Sequence, residues 1–368
     1  MRHSLGPLLR RATVGVLALG ALWVPGGSPA AAPVASAAPE AGRLAFDERY
    51  RALQHGGIVR AANSSVTCRS ASGQSGPSCS AAQTGERGVN GDFDTLYIDV
   101  DGDPNTYNSS SAEVRMPAGS RVSYARLYWG GNLRVGEQKP SEENGRVLIA
   151  EPGGAYKEVV ADTAIGHRVA DGADAFQASA DVTRLVRESG SGLYTVAQVN
   201  VAGGKSAAGA WGGWTLVVAY ENPAEPLRDL AIWDGFAPLR SGGDQEMRLT
   251  GLDFPSGAGG RAGLVAYNGD RGTTGDYLTL TTGRSGSAVD LTDSANPADD
   301  VLNSTISEPG DAPAARVPAY ANTLGYDSDV FGLGGLLRDA GDRMTLRLSS
   351  ERDAAWAGVL FAAVDTAR

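Results

Sequence analysis

Three apolar runs between Phe176 and Phe236 constrain the fold more than any other feature of this chain. Leu193–Val201 alternates: Tyr194, Val196 and Gln198 fall on one face, Thr195, Ala197 and Val199 on the other, the pattern of a half-buried strand. Trp214–Tyr220 is β-branched and aromatic on both faces, as a strand covered on two sides requires. Leu227–Trp233 is the third run, and Gly or Pro follows each: Gly203-Gly204, then Asn222-Pro223 with Glu225-Pro226, then Gly235. Short, turn-punctuated strands of this kind predict an all-β sandwich. The 50 glycines of the 368-residue chain, set among Ser, Thr and Ala, extend that expectation to its whole length.

The N-terminus has the form of a signal peptide, residues 1–37. Arg2, Arg10 and Arg11 form a basic region, Ala12–Val24 is an apolar run too short to span a bilayer, and Ala35-Ser36-Ala37 offers small residues for cleavage. Export is therefore expected, with the mature chain starting near Ala38. No later run is long and apolar enough for a membrane span. Phe361–Arg368 carries no sorting motif, so the expectation is a secreted protein, free in the medium or held non-covalently at the cell wall. The net charge is −10, with no basic cluster after the leader. Nucleic-acid backbones are held by dense Lys and Arg, so no nucleic-acid partner is expected.

From Glu40 to Gly57 the spacing of Leu44, Tyr50 and Leu53, the early acids Asp47 and Glu48, and His55-Gly56-Gly57 predict a short helical arm with a glycine stop. Ile58–Thr67 then fits an edge strand. Cys68 and Cys79 are the only cysteines; in an exported chain they predict a disulfide, worth about 2–3 kcal/mol through restriction of the unfolded state. Asp181–Arg187 fits a single helical turn capped by Asp181, or a loop.

An ordered set of weak matches links the two halves. Tyr128 in ARLYWG corresponds to Tyr267 in LVAYNG, Asp181-Val182 to Asp329-Val330, Thr195–Asn200 to Thr345–Ser350, and Trp211 in WGGWTLVV to Trp356 in WAGVLFAA. The near-constant offset predicts an internal repeat of two homologous, jelly-roll-like β-sandwiches. The expected organisation is residues 38–87 as an N-terminal arm with the disulfide loop, 88–238 as the first sandwich and 239–368 as the second.

Candidate sites are few. Asp99, Asp101 and Asp103 alternate, with Asn105 following, a spacing at which carboxylates converge on calcium. Pro104 and Ser110 stand where an EF-hand-type loop wants glycine and a carboxylate, so a polar turn bonding its own backbone amides competes with the calcium reading. Trp129 and Trp211, each followed by Gly-Gly, are candidates for exposed sugar-stacking platforms, whereas Trp214 and Trp356 are expected in the core. His55 and His167, the two histidines after the leader, are far apart, and no Gly-x-Ser-x-Gly elbow accompanies them. Gly203-Gly204-Lys205-Ser206 lacks the first glycine of a phosphate loop, with Val199 in its place. Asp299-Asp300 is the other pointed acidic cluster, and paired carboxylates are what a glycosidase needs.

The succession DVDGDPNTYNSSSAEV, VSYARLYWGGN, WGGWTLVVAYENP, LRDLAIWDGF, NTLGYDSDVF and WAGVLFAAVD resembles a family of exported surface proteins of high-GC Gram-positive bacteria, a domain of unknown function often found ahead of repeat modules in adhesin-like chains. The resemblance covers roughly Asn90 to Asp365 and implies a surface or secreted tandem β-sandwich with no catalytic residues to carry over. The resulting expectation is a non-enzymatic binding or adhesion protein. Its partner would be an envelope or extracellular polymer or another surface protein, and calcium is the one cofactor considered. A lectin-like module or an acidic-residue hydrolase is the alternative.

Overall fold

In the computed structural model the described residues are 38–71, 76–240, 243–283, 286–310 and 314–367; the expected signal peptide, residues 1–37, lies outside them. The chain is all-β, with only two short α-helices, Cys79–Gln83 and Thr183–Ser189, among the described residues. One ten-stranded sheet runs through it in the order Glu40–Ala41, Ile165–Ala170, Ala173–Asp181, Arg121–Asn132, Gly212–Glu221, Leu44–Ser64, Leu227–Pro238, Trp356–Asp365, Gly260–Tyr267, Tyr326–Gly332. A five-stranded sheet (Arg316–Val317, Ser109–Val114, Gly192–Ala197, Arg146–Ala150, Lys157–Val160) covers one end of it. A four-stranded sheet (Gln245–Phe254, Gly341–Ser350, Asp276–Thr282, Val289–Asp290) covers the other.

The repeat-matched segments occupy corresponding places. Arg121–Asn132 lies between Ala173–Asp181 and Gly212–Glu221, just as Gly260–Tyr267 lies between Tyr326–Gly332 and Trp356–Asp365. In the covering sheets, Ser109–Val114, Gly192–Ala197 and Arg146–Ala150 follow the same order as Gln245–Phe254, Gly341–Ser350 and Asp276–Thr282.

Alternation sorts the side chains into three cores. Trp129, Leu216 and Val218 face Ile149, Tyr194 and Val196 of the five-stranded sheet. Leu264, Leu360 and Ala362 face Leu249, Leu280 and Leu346 of the four-stranded sheet. The opposite faces of the two halves meet each other through Tyr128, Val217, Val265, Tyr267, Tyr326 and Phe361. Buried hydrogen bonds cross this middle layer: Tyr267 donates to Gln177 Oε1 at 2.9 Å, and the Thr215 and Tyr326 hydroxyls are 2.7 Å apart. Each such bond inside an apolar layer satisfies groups that would otherwise be costly to bury.

The N-terminal segment corrects the expected helical arm and edge strand. Leu44–Ser64 is one strand in the interior of the sheet. Its first half, Leu44 to His55, pairs with Leu227–Phe236, and its second half, Gly56 to Ser64, pairs with Gly213–Glu221. The helix-favouring Ala, Leu, Gln, Glu and Arg of this segment are overridden by two ladders of tertiary hydrogen bonds, against which single-residue propensities of a few tenths of a kcal/mol, roughly, are weak. Gly56 marks where the strand changes partners rather than a helix stop. At φ +149 a Cβ there would sit 1.9 Å from the Tyr220 carbonyl oxygen, so only glycine lets the two backbones approach.

Cys68 and Cys79 form the expected disulfide. The short helix after Asp181 is present as Thr183–Ser189, but its N-cap is Val182 and not the expected Asp181, whose carboxylate accepts from Thr183 N at 2.8 Å.

Candidate binding cleft and a buried aspartate cluster

The Asp99–Asn105 stretch is an exposed turn whose side chains bond its own chain. Asp99 Oδ1 accepts from Gly102 N at 3.3 Å and Ser109 Oγ at 3.0 Å. Asp101 Oδ1 accepts from Asp103 N at 2.9 Å, while Tyr156 donates to Asp101 Oδ2. Asp103 Oδ1 accepts from both the backbone N and the Nδ2 of Asn105, at 2.9 and 2.7 Å. Burial raises the Asp101 pKa, but the Tyr156 hydroxyl and the Asp103 amide outweigh it and hold the group below its ordinary value. Among the described residues no group of three or more His, Cys, Asp or Glu is placed to hold a metal ion.

Trp129 and Trp211 are 0% exposed, which removes the sugar-stacking platform expected of them. Their indole N–H groups donate to Asn144 O at 2.8 Å and Ala208 O at 3.2 Å. The Gly-Gly that follows each serves close backbone approach: a Cβ on Gly131 or Gly212 would clash with Val201. Trp214 and Trp356 are buried, as expected. His167 bridges Glu40 Oε2 and Asp174 Oδ1, both at 2.7 Å; burial lowers its pKa, but the two carboxylates prevail and raise it. His55 Nδ1 lies 2.9 Å from Glu225 O on the surface.

The second half concentrates buried acid. Asp300, from the acidic pair singled out in sequence, is buried, and its Oδ2 accepts from Gly272 N at 2.9 Å. Asp299 is exposed, and its carbonyl accepts from Gly275 N at 2.6 Å. Beside Asp300 lie Asp276, at the start of Asp276–Thr282, and Asp353, in the loop before Trp356–Asp365. Asp270 accepts from Asn90 N at 2.7 Å, and Asp353 Oδ2 accepts from Asp270 N at 2.9 Å. Both carboxylate oxygens of Asp276, and Oδ1 of Asp300, are buried with no hydrogen-bond donor among the described residues.

Asp327 and Asp329, on one face of the strand Tyr326–Gly332, extend the cluster and each leaves Oδ2 without a donor. Burial, then the facing carboxylates, pushes Asp276, Asp353, Asp300 and Asp327 above the usual carboxylate range. Burial also raises Asp329, against its Ser307 and Thr305 bonds and Arg60, and takes Asp270 up to about 7. Arg271 is the central cation. It donates to Gly85 O at 2.7 Å and Asn303 O at 3.3 Å, and sits in the field of Asp327, Asp300 and Asp329.

The junction between the halves opens to solvent as a cleft of about 520 Å³, within the usual range for ligand sites. Four arginines line it: Arg60, four residues past the change of partner at Gly56; Arg115, just beyond Ser109–Val114; Arg228, at the start of Leu227–Pro238; and Arg261, in Gly260–Tyr267. Glu225 and Glu308 are the acids of its wall. Arg228 is committed to Asp365 Oδ1 (2.7 Å) and Glu225 Oε2 (3.0 Å), and Arg115 pairs with Glu113 at 2.6 Å. Arg60 is 4% exposed; its Nη2 donates to Ser307 O and its Nε–H has no acceptor. Burial pushes its pKa down, against the pull of Glu308 and Asp329. Arg261 is exposed. No sequence motif announced this cleft, because its arginines come from four distant strands and strand ends.

No protein-family model matches the chain, and no curated protein matches it. Among solved structures, the chain is similar to N-glycanase F (PNGase F) with a TM-score of 0.20 and 11% identity, over 71% of this chain and 96% of that one. It is similar to the major capsid protein P2 from bacteriophage PM2 with a TM-score of 0.18 and 11% identity, over 83% and 97% of the two chains. For the STIV MCP the TM-score is 0.19 and the identity 10%, over 70% and 92%. At these TM-scores the likenesses carry no argument.

Proposed function

We propose that the protein is a secreted, non-enzymatic extracellular or cell-envelope protein, built of two tandem jelly-roll-like sandwiches, that binds an extracellular polymer or surface protein at the cleft between them. The observation that carries this reading is the contrast in access. The cleft at the junction is open and lined by arginines, whereas the aspartates held near their neutral form are enclosed; Asp276 is 0% exposed and Asp353 5%. A carboxyl acting as a general acid must reach its substrate within about 3 Å, or through one water.

The test is co-sedimentation of the purified protein with isolated cell walls and with insoluble polysaccharides, alongside a reducing-sugar assay. Saturable retention without sugar release is expected. Sugar release abolished by Asp300→Asn would replace this reading with a hydrolase. The carbohydrate-binding reading has a second cleft of about 430 Å³ to draw on, lined by Tyr107, Gln198 and Asn200, although Lys139 Nζ lies 4.3 Å from the Tyr107 ring centre and the two amides donate to Asn105 O, Pro140 O and Asn144 Oδ1. Retention on neutral polysaccharide, lost in Tyr107→Ala, would select it.

A further inference from the structure

Guanidinium groups that fold-internal carboxylates already neutralise give no information about a ligand. The four arginines of the junction cleft divide on that criterion. Arg228 and Arg115 are spoken for by Asp365, Glu225 and Glu113. Arg60 and Arg261 are not held in this way. Among the described residues the only acceptor that Arg60 meets at hydrogen-bond distance is the neutral carbonyl of Ser307, and its buried Nε–H meets none. Burying a cation with a donor left over costs stability, and the chain could have avoided this with an apolar residue. Glu308, the nearest acid of the cleft wall, instead accepts from Ala314 N at 2.7 Å. Arg261 is an exposed residue of the cleft lining, and it makes no ion pair with any described residue. All this occurs on a chain of net charge −10, whose overall field repels anions.

We infer that the junction cleft is an oxyanion site, taking carboxylate or phosphate groups borne along an extracellular polymer, with Arg60 and Arg261 as its recognising residues. The inference rests on the cleft being the binding surface proposed above and adds the chemistry of what enters it. A guanidinium presents five N–H donors in a planar fork that matches both oxyanions bidentately, so the two anion sources share one recognition chemistry. Arg60, held by the strand Leu44–Ser64 and 4% exposed, is the preorganised donor of the cleft lining. Arg261, on a rigid strand but at the surface, offers the adaptable one.

The test uses the purified protein with three immobilised polymers: polygalacturonate for carboxylate, linear polyphosphate for phosphate, and dextran as the neutral control. At low salt, retention on one or both polyanions is expected, with none on dextran, and it should weaken as sodium chloride is raised because the contacts are ionic. Preference for one polyanion identifies the anion source. Arg261→Glu should reduce retention tenfold or more, and Arg261→Lys should keep part of it. Arg60→Gln should also weaken binding. Because Arg60 is buried and its loss can unfold the chain, Arg261, whose side chain makes no ion pair or hydrogen bond among the described residues, decides the question, with a melting curve to show that the variant is folded. The inference is overturned if neither polyanion is retained above dextran, or if Arg261→Glu binds like the parent. Cell walls retained without any polyanion binding would sink the oxyanion site while leaving the binding reading intact. Failure on walls and polyanions together would sink both.

Discussion

Two regions of this molecule are rich in aspartate and behave in opposite ways. In the Asp99–Asn105 turn the acids are adjacent in sequence, exposed, and each is supplied with donors by the next residues of the chain. In the second half Asp270, Asp276, Asp300, Asp327, Asp329 and Asp353 are scattered over the sequence and gathered by the fold, and Asp276, Asp300, Asp327 and Asp329 each keep a buried oxygen without a donor among the described residues. Proximity along a chain brings backbone amides as well as carboxylates, so a run of Asp and Asn tends to satisfy itself. Proximity created by tertiary structure supplies fewer: Asp270, Asp300, Asp327, Asp329 and Asp353 each accept from a backbone amide, yet Asp276, Asp300, Asp327 and Asp329 still keep an oxygen without a donor among the described residues. The carboxylates then face one another in a low-dielectric interior, where the ionised form is penalised by burial and by like charge together.

The largest consequence is a pH dependence with a fixed sign. An acid whose folded pKa is raised keeps its proton in the native state after the unfolded chain has lost it. The native state then binds more protons, and stability falls as pH rises from the ordinary carboxylate value towards the folded one. Asp353, pushed up to about 8, sets the upper end of the window, and the raised Asp270, Asp276, Asp300 and Asp329 act in the same direction. His167, whose folded pKa is also raised, adds stability at low pH that is lost on passing upward through its own pKa. The Tm should therefore be several degrees higher at about pH 5 than at about pH 8, since each retained proton contributes about 1.4 kcal/mol per pH unit. A flat or rising Tm between those values would show that the carboxylates are not in tension.

A single substitution sharpens the contrast. Asp276→Asn keeps the shape, removes one buried charge and gives the Asp353 carboxylate a donor. At about pH 8 the variant should be more stable than the parent by about 1–3 kcal/mol, and at about pH 5 nearly equal to it, which flattens the pH profile. Urea denaturation at the two pH values measures both. Destabilisation at both would mean that the Asp276 carboxylate is held by interactions that its lack of donors does not suggest.

Legibility in the sequence follows the same division. The apolar runs, their punctuation and the repeat were visible because alternation and glycine placement are local properties; the strands Gly192–Ala197, Gly212–Glu221 and Leu227–Pro238 lie where the runs placed them. Leu44–Ser64 was misread because its helix-like spacing is local and its two partners are not. Trp129 lies within Arg121–Asn132 and Trp211 just before Gly212–Glu221, and their exposure depended on what covers them, which the following Gly-Gly does not tell. Of the buried aspartates only Asp300 stood out as a candidate site residue, as half of Asp299-Asp300; the others were acids beside Gly or Ser, or in the case of Asp353 between Arg352 and Ala354, until the fold assembled them. The arginines of the cleft were hidden for the same reason.

The smallest effects belong to the exposed turn. Asp103→Ala removes an acceptor for Asn105 N and Nδ2 at a solvated site and should cost under about 1 kcal/mol. Asp101 carries the opposite pH sign to the buried group. Its folded pKa is depressed, so its contribution is present above the unfolded value and lost as pH falls through the folded one. Asp101→Asn should accordingly change nothing between about pH 5 and pH 8 beyond a small constant offset, where the parent and Asp276→Asn diverge. Calcium tests the turn directly. Its carboxylate oxygens already accept from Gly102, Asp103, Asn105, Ser109 and Tyr156, so an entering ion would have to break those bonds before gaining its own. The expected outcome is one Tm in excess calcium and in chelator. A calcium-dependent rise that Asp101→Asn abolishes would show instead that the turn rearranges around the ion, and that self-satisfied acids can still be recruited when the incoming charge is large enough.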